Sequence, residues 1–343
     1  ENGVLVEEDA RKAEIMNEFF VQKIELLRKR IDLSKNDDPY DRLRRRYGGR
    51  SMNFAFKHVT IKDIKAIIKK MKKSSSSGID GISSIHVKLA LNEIAPAVKD
   101  LVNSSLSEGK FPECFKLAKI VCIYKNKGNK SDKSNYRPVS NLAFFGKCIE
   151  VAVDIQLRPY CETNNLFGSH QQGFRKARST STALLTAATR WRTNKAQRKF
   201  QGVLFFDLSA AYDLLDKEVF LKKAAIVGIT GVALSWLASY LTDRRQVVQV
   251  NDARSSIRLL DFGTPQGSAC SCLLFALFVG DICLWLNDGL IQAYADDTFI
   301  TVEADSIEQL RKKMEAAGES VLEYFNINRM VTNPGKTAML VFR

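Results

Sequence analysis

The spacing of apolar residues near the start of the chain predicts two helices. Between residues 7 and 30 apolar residues recur every three or four positions, which predicts an amphipathic helix with one buried face. These residues are Ala13, Met16, Phe20, Ile24 and Leu27. A further helix is predicted after Thr60, because Thr60 and Asp63 resemble a capping box. The polar, basic segment 36–50 between them is predicted to be a linker.

Short runs of apolar and β-branched residues predict strands later in the chain. Residues 203–206 form an apolar run with no polar member, which is typical of a strand buried on both faces. Residues 290–294 and 298–302 are rich in apolar, β-branched and aromatic types and predict a hairpin.

The link of this predicted hairpin carries adjacent carboxylates, Asp296 and Asp297. Two-residue hairpin links favour Asn-Gly or Asp-Gly, so this pair breaks the local rule and places like charges side by side. One interpretation is a solvated acidic turn. The other is a metal site, because a hard cation such as Mg²⁺ takes carboxylate oxygens and offsets their repulsion. The metal site needs another carboxylate from elsewhere in the chain.

Asp207 is the candidate for that carboxylate, because it ends the buried run 203–206. A charge at the end of a buried strand is costly unless it is solvated or paired, although Asp207 could also simply cap the next turn. Asp207 and Asp296 are 296 − 207 = 89 residues apart, so only strand pairing could bring them together. Three converging carboxylates suit two metal ions about 3.5–4 Å apart that drive in-line phosphoryl transfer.

The excess of positive charge favours a polyanionic partner. The chain has 343 residues, of which 45% are hydrophobic and 26% charged, so it is globular and long enough for about two domains. It carries 52 Lys and Arg against 38 Asp and Glu, a net charge of +14. This surplus favours nucleic acid as a partner, although a merely soluble basic protein would fit as well.

Cysteine usage and hydropathy bear on the compartment. Seven cysteines without a Cys-x-x-Cys pair, together with only three histidines, argue against a zinc site and favour free thiols in a reducing, intracellular environment. The apolar segment 269–286 is interrupted by Gly280 and Asp281, so it is predicted to be a buried helix rather than a membrane span. The first residue is Glu1 rather than Met, and the chain is expected to be a piece of a longer protein.

Several motifs follow one another in a fixed order along the chain. They are FDLSAAYD at 206–213, TPQGS at 264–268, YADD at 294–297 and NPGKT at 333–337. Upstream lie SSGIDGI at 76–82, YKNKGNKSDKSNYRPVSNL at 124–142 and GFRKARSTSTAL at 173–184. The ordered set resembles the reverse transcriptase domain of non-LTR (LINE-type) retrotransposons, and the upstream segments resemble the finger motifs of that family.

The resemblance implies an α+β, right-hand polymerase fold with fingers and a palm, whose antiparallel sheet is backed by helices. A thumb is expected to be absent from this chain. The implied domains are an N-terminal helix and linker at 1–56, fingers with part of the palm at 57–200, and the carboxylate-bearing palm at 201–343.

The implied activity is that of an RNA-directed DNA polymerase. A primer 3′-hydroxyl attacks the α-phosphorus of a deoxynucleotide and releases pyrophosphate, with two Mg²⁺ ions for which Mn²⁺ could substitute. The implied partners are an RNA template, a DNA primer or target and dNTPs, with no membrane. The full-length parent is expected to carry an endonuclease domain and to act in the nucleus and cytoplasm.

The resemblance also carries catalytic roles onto individual residues. Asp207, Asp296 and Asp297 correspond to the metal-binding triad, and the backbone carbonyl of Leu208 would complete the coordination. Lys336 corresponds to a lysine that protonates the departing pyrophosphate, although it could be an ordinary surface lysine.

Further residues correspond to substrate contacts. Tyr212 matches the aromatic gate beneath the incoming sugar, with core packing as its alternative. Gln266 and Gly267 match the loop that contacts the incoming nucleotide, and Arg137 and Lys125 are candidates to grip the triphosphate. The residues expected to face template phosphate, unless they form an ordinary solvated surface, are Arg175, Lys176 and Arg178.

Two positions depart from the family pattern. A Gly-Pro pair usually follows the PQGS motif before the apolar helix, where this chain has Ala269-Cys270-Ser271-Cys272, and this difference bears on the helix entry and on the pose of Gln266. Tyr324 stands where a tryptophan is common. Two other interpretations remain open at this point: a group II intron-type or telomerase-type reverse transcriptase, and a folded but inactive nucleic-acid-binding relic.

Overall fold

The computed structural model describes residues 5–32, 34 and 38–343, which form a mixed α+β protein. The helices are α1 (Asp9–Arg28), α2 (Asp41–Tyr47), α3 (Ile61–Lys70), α4 (Ser84–Leu89), α5 (Leu91–Glu108), α6 (Phe144–Thr163), α7 (Thr180–Ala196), α8 (Lys217–Ile226), α9 (Gly231–Leu241), α10 (Ser271–Phe278) and α11 (Ile307–Ile327). The strands are β1 (Leu117–Tyr124), β2 (Tyr136–Asn141), β3 (Phe200–Phe206), β4 (Arg244–Val250), β5 (Ala253–Arg254), β6 (Arg258–Leu260), β7 (Leu290–Tyr294), β8 (Asp297–Ala304) and β9 (Ala338–Phe342).

The chain divides into two compact units, each assembled from segments that are distant in sequence. The first unit comprises Glu1–Leu26, Met52–Arg158 and Gly228–Ser271, and the second comprises Leu27–Ser51, Pro159–Val227 and Cys272–Arg343. The division into fingers and palm at the positions given above stays a prediction.

The first unit is built on a sheet in the order β2-β1-β4-β5, and β6 also pairs with β4. Strands β1 and β2 are antiparallel, whereas β1 and β4 are parallel. The predicted amphipathic helix is confirmed as α1, and its Ala13 and Phe20 pack into a core with Ile120 and Val248 of the sheet. The capping box predicted at Thr60 is also confirmed, at the start of α3.

The second unit contains an antiparallel sheet in the order β7-β8-β3-β9. The apolar run 203–206 lies in β3, between β8 and β9, and Val203 is fully buried there. Helix α11 packs against this sheet, with the ring of Phe325 centred 6.2 Å from that of Phe206. The prediction that this run is buried on both faces is wrong, because Phe205 is exposed although β3 is a central strand, and β3 also contains a buried polar residue, Gln201.

The segment predicted to be a linker contains a helix, α2. Its sequence is polar and rich in arginine, but Leu43 and Tyr47 are buried, and the guanidinium of Arg42 lies 4.1 Å from the ring centre of Trp285. Packing therefore stabilises a helix that the local pattern does not indicate. Residues 36 and 37 of the predicted linker lie outside the described residues.

The apolar segment 269–286 is interrupted where the sequence predicts. Helix α10 ends at Phe278, and a short 3₁₀ turn from Ile282 to Trp285 follows Gly280. Within the described part of the chain, no helix is long and apolar enough to cross a membrane.

Candidate active site

Strand register in the second unit brings the candidate carboxylates to one end of the sheet. Phe206 pairs with Thr298 across β3 and β8, so Asp207, the next residue, lies beside the start of β8. Tyr294 pairs with Asp297, so the two residues of the hairpin link are Ala295 and Asp296. The predicted hairpin is confirmed, but its link is shifted by one residue, and Asp297 is the first residue of β8.

The charges of Asp207 and Asp297 act on Asp296. The pKa of Asp296 is raised mainly because the side chain is half-buried and partly desolvated, and further because the negative charges of Asp297 and Asp207 lie nearby. The ammonium of Lys336 opposes this rise. A cation placed among these side chains would relieve both the repulsion and the desolvation of Asp296.

The loop that precedes β9 holds Asp207 by its backbone and its side chain. The Nζ of Lys336 lies 3.1 Å from both carboxylate oxygens of Asp207, and the Nδ2 of Asn333 lies 3.2 Å from Oδ2. The backbone N–H of Asn333 also donates to the Asp207 carbonyl at 2.8 Å. Asn333 was not among the predicted site residues, although it is the first residue of the NPGKT motif.

The donor set fits a hard divalent cation by its chemistry, because carboxylate and carbonyl oxygens are the ligands that such ions take. Leu208 forms a backbone bridge with Thr332. The two hydrogen bonds of this bridge run from the Asn333 N–H to the Asp207 carbonyl and from the Ser209 N–H to the Val331 carbonyl, so neither involves the Leu208 carbonyl. Within the described residues, no group of three His, Cys, Asp or Glu side chains is already gathered at metal-binding distance. Asp207 is instead neutralised by Lys336.

Tyr212 lies against the same part of the second unit. Its ring centre is 4.6 Å from that of Phe275, with the planes inclined at 31°. The pKa of its hydroxyl is raised mainly by burial, and further by the neighbouring Cys272 and the charge of Asp296. The ring therefore has a packing partner and also lies within electrostatic range of Asp296.

In the first unit, the loop of the PQGS motif is fixed by close backbone contact with β2. The N–H of Ser140 donates to the carbonyl of Gln266 at 2.9 Å. Gly267 has a φ of +106°, and a Cβ at this position would lie 3.0 Å from the Ser140 carbonyl oxygen. A larger residue would therefore strain the loop and push it away from β2.

The departure from the Gly-Pro pattern has its own set of hydrogen bonds. The backbone N–H of Ala269 donates to the Glu150 carboxylate at 2.9 Å, and that of Cys270 donates to Ser268 Oγ at 3.1 Å. The start of α10 is therefore stabilised by polar contacts in this chain.

The candidate triphosphate cations lie in the first unit. Arg137 is exposed on β2, and Lys125 Nζ donates to the Ser134 carbonyl at 2.7 Å.

The candidate template-binding cations lie in the second unit and differ in exposure. Lys176 is exposed, and Arg178 donates to the Ser169 carbonyl at 2.8 Å. Arg175 is buried, forms a two-bond ion pair with Glu162 and donates to the carbonyls of Gly168 and Gln171. Because its guanidinium is used inside the fold, the prediction that Arg175 faces template phosphate requires correction.

Comparison with known proteins identifies the family of this chain. The family described as "Reverse transcriptase (RNA-dependent DNA polymerase)" matches residues 124–341. The chain is 24% identical over 291 residues to the RNA-directed DNA polymerase from mobile element jockey of Drosophila funebris, covering 83% of this chain and 32% of that protein. It is 27% identical over 263 residues to the jockey polymerase of Drosophila melanogaster, covering 75% and 29%.

The chain also resembles a further transposon polymerase and a solved telomerase structure. The probable RNA-directed DNA polymerase from transposon BS of Drosophila melanogaster is 24% identical over 299 residues, covering 83% of this chain and 32% of that protein. A solved structure of apo telomerase from Candida tropicalis, truncated from the C-terminal domain, aligns with a TM-score of 0.47 and 15% identity. That alignment covers 68% of this chain and 51% of the telomerase chain.

The chain spans about a third of the length of the curated relatives that it matches. The family match nevertheless covers more than half of this chain and includes the motifs at 206–213, 264–268, 294–297 and 333–337. The prediction of a LINE-type reverse transcriptase domain is confirmed, and the chain belongs to the reverse transcriptase (RNA-dependent DNA polymerase) family.

Proposed function

We propose that this chain is the polymerase region of an RNA-directed DNA polymerase that replicates a non-LTR retrotransposon. The observation that carries the proposal is the pairing of β3 with β8, which brings Asp207 beside Asp296 and Asp297 although they are distant in sequence. The relatives named as RNA-directed DNA polymerases of mobile elements support the same activity.

Membership of the reverse transcriptase family implies the use of divalent metal. We infer that Asp207, Asp296, Asp297 and the Leu208 carbonyl would hold two Mg²⁺ ions, or Mn²⁺ in their place. When bound, such ions activate the attacking 3′-hydroxyl and stabilise the leaving oxygens of the triphosphate. Lys336, which pairs with Asp207 in this structure, is proposed to donate a proton to the departing pyrophosphate.

The remaining roles concern substrate and template. Tyr212 is proposed to lie beneath the incoming sugar, and Gln266 with Gly267 to contact the nucleotide. Arg137 and Lys125 are proposed to bind the triphosphate, because cations match phosphate charge and arginine matches its geometry.

The net charge of +14 supports binding of an RNA template and a DNA primer or target, with Lys176 and Arg178 on the template side. In the right-hand arrangement that we propose, the sheet of the second unit is the palm. An endonuclease domain in the full-length parent, and action in the nucleus and cytoplasm, belong to the same proposal.

The test is RNA-templated primer extension by the full-length protein with Mg²⁺ and dNTPs. Asp296→Asn is expected to abolish extension, because the substitution removes a charge from the metal-binding group. The matched control is Asp305→Asn, since Asp305 is exposed and follows the other end of β8. Extension by Asp296→Asn at the rate of the control would contradict the proposal, and so would a wild-type protein that binds nucleic acid but extends no primer.

A further inference from the structure

A short segment of the second unit runs beside β7 and reaches the hairpin link that carries Asp296. The N–H of Ala293 donates to the His170 carbonyl at 3.0 Å, and the N–H of Gln172 donates to the Ala293 carbonyl at 2.7 Å. These two bonds place Gln171 opposite Ala293 in a parallel bridge. The side chain of Gln171 is thereby brought level with the hairpin link, two residues further along.

The side chain of Gln171 hydrogen-bonds both polar groups of Ala295, the residue before Asp296. Its Oε1 accepts from the Ala295 N–H at 3.0 Å and from the Gly173 N–H at 2.8 Å. Its Nε2 donates to the Ala295 carbonyl at 3.2 Å. Gln171 is fully buried, so these bonds are not exchanged with solvent.

Ala295 needs such support because of its backbone conformation. Its φ is +59°, which residues with a Cβ rarely adopt, but two-residue hairpin links require a positive φ at their first residue. A strained conformation persists when the surrounding structure determines it, and here Gln171 holds both sides of the residue.

We propose that Gln171 is a positioning residue for the catalytic carboxylates. It fixes the hairpin link so that Asp296 and Asp297 face Asp207 and can bind metal together with it. This inference rests on the proposed function, because it assumes that these carboxylates bind metal.

The neighbourhood of Gln171 makes the arrangement rigid. A Cβ on Gly173 would lie 2.4 Å from the Ala295 nitrogen, so only glycine allows the two backbones to approach this closely. The buried guanidinium of Arg175 donates to the Gln171 carbonyl at 3.0 Å and is itself held by Glu162. The role of Arg175 is thus to brace the segment that supports the hairpin link.

Glutamine is suited to this position because it accepts and donates hydrogen bonds at the same time. Methionine has a similar shape but would leave the N–H groups of Ala295 and Gly173 without their acceptor. Glutamate would keep the acceptor and lose the bond to the Ala295 carbonyl.

Gln172 provides a matched control in the adjacent position. It is also buried, but its Nε2 donates to the Ser169 carbonyl at 3.3 Å and to Gln292 Oε1 at 3.4 Å, and its Oε1 accepts from Thr182 Oγ1 at 3.3 Å. None of these bonds touches the hairpin link, so a loss of packing or of buried hydrogen bonds alone should affect Gln171→Met and Gln172→Met alike.

The test compares Gln171→Met, Gln171→Glu and Gln172→Met in the full-length protein by two measurements. The first is hydrogen exchange of the Ala295 amide, which we expect to be at least tenfold faster in Gln171→Met and to be slowed again in Gln171→Glu. The second is primer extension over a range of Mg²⁺ concentrations. There Gln171→Met should lower kcat and raise the Mg²⁺ concentration for half-maximal rate, each at least tenfold, with the KM for dNTP changed less than twofold.

The control Gln172→Met should resemble wild type in both measurements. The inference is overturned if Gln171→Met shows wild-type exchange at Ala295, or if Gln172→Met shifts the Mg²⁺ dependence equally. A wild-type protein without extension activity would refute the proposed function, and hydrogen exchange at Ala295 would still decide whether Gln171 holds the link.

Discussion

Replacing Glu150 by glutamine should destabilise the first unit, because it leaves the positive charge of Arg244 buried without a compensating negative charge. A second substitution that removes the charge of Arg244 should restore most of the lost stability. The Glu150 carboxylate is buried, accepts hydrogen bonds from Ser268 Oγ and the Ala269 N–H, and interacts electrostatically with Arg244. Burial is the main reason why the pKa of Glu150 is raised, and the charge of Arg244 opposes that rise. The network supports the loop that carries Gln266.

The magnitude follows from the surroundings of Arg244. Its guanidinium is buried and has no hydrogen-bond partner within the described part of the chain. It lies 5.1 Å from the ring centre of Tyr240 and 5.4 Å from that of Phe111, and these contacts offset only part of its desolvation. Glu150 and Arg244 compensate each other's charge without direct hydrogen bonding, and removing one of two such buried charges costs about 3–5 kcal/mol because the other is left uncompensated. We expect about 3 kcal/mol for Glu150→Gln, because the amide can still accept from Ser268 and Ala269.

The assay is urea unfolding of wild type, Glu150→Gln, Arg244→Met and the double variant, followed by circular dichroism. The double variant should unfold within about 1 kcal/mol of wild type, because it buries neither charge. The reasoning is refuted if Glu150→Gln costs less than about 0.5 kcal/mol, or if the losses of the two single variants simply add.

Three further predictions concern the second unit. Without Mg²⁺, Asp296→Asn should melt at or slightly above the wild-type temperature, because its repulsion with Asp297 and Asp207 is relieved; a clear drop in melting temperature would contradict this. Tyr212→Ala should lower discrimination against ribonucleotides at least tenfold, equivalent to about 1.4 kcal/mol, whereas Tyr212→Phe should keep most of it. The ratio of kcat/KM for deoxynucleotides and ribonucleotides measures this effect. An unchanged ratio in Tyr212→Ala would show that Tyr212 only packs in the core. Burial lowers the pKa of His170 from 6.5 to about 4, so the unfolded chain binds the extra proton and stability is lost as pH falls from 6.5 toward 4. Between pH 6.5 and 5 this amounts to about 1.6 kcal/mol, which urea unfolding should detect in wild type and not in His170→Gln.

Local pattern was sufficient where one segment determines its own structure. The spacing of Ala13 and Phe20 predicted α1, the Thr60 capping box predicted the start of α3, and the apolar run before Asp207 predicted β3. These features depend on periodicity and short-range hydrogen bonds, which are visible in sequence. The carboxylates that the sheet brings together were indicated in a different way, by the resemblance of the motifs around Asp207 and Asp296 to a known family.

Local pattern was insufficient where partners come from distant segments. Helix α2 depends on packing against Trp285, and the burial of Arg175 depends on Glu162 and on backbone carbonyls, none of which its own motif indicates. Asn333 and Gln171 were missed for the same reason, because their importance lies in what they bond. The hairpin link was misplaced by one residue, since pairing between Tyr294 and Asp297 sets it.

The central claim is that carboxylates 89 residues apart (296 − 207) form one metal site. The most direct test replaces Mg²⁺ by Fe²⁺ in the presence of ascorbate, so that hydroxyl radicals cut the backbone next to the bound ion. Cuts are predicted in two segments, 206–209 and 294–298, and they should be suppressed by excess Mg²⁺ and lost in Asp207→Asn. Cuts confined to one segment, or a pattern unchanged by Asp207→Asn, would contradict a shared metal site.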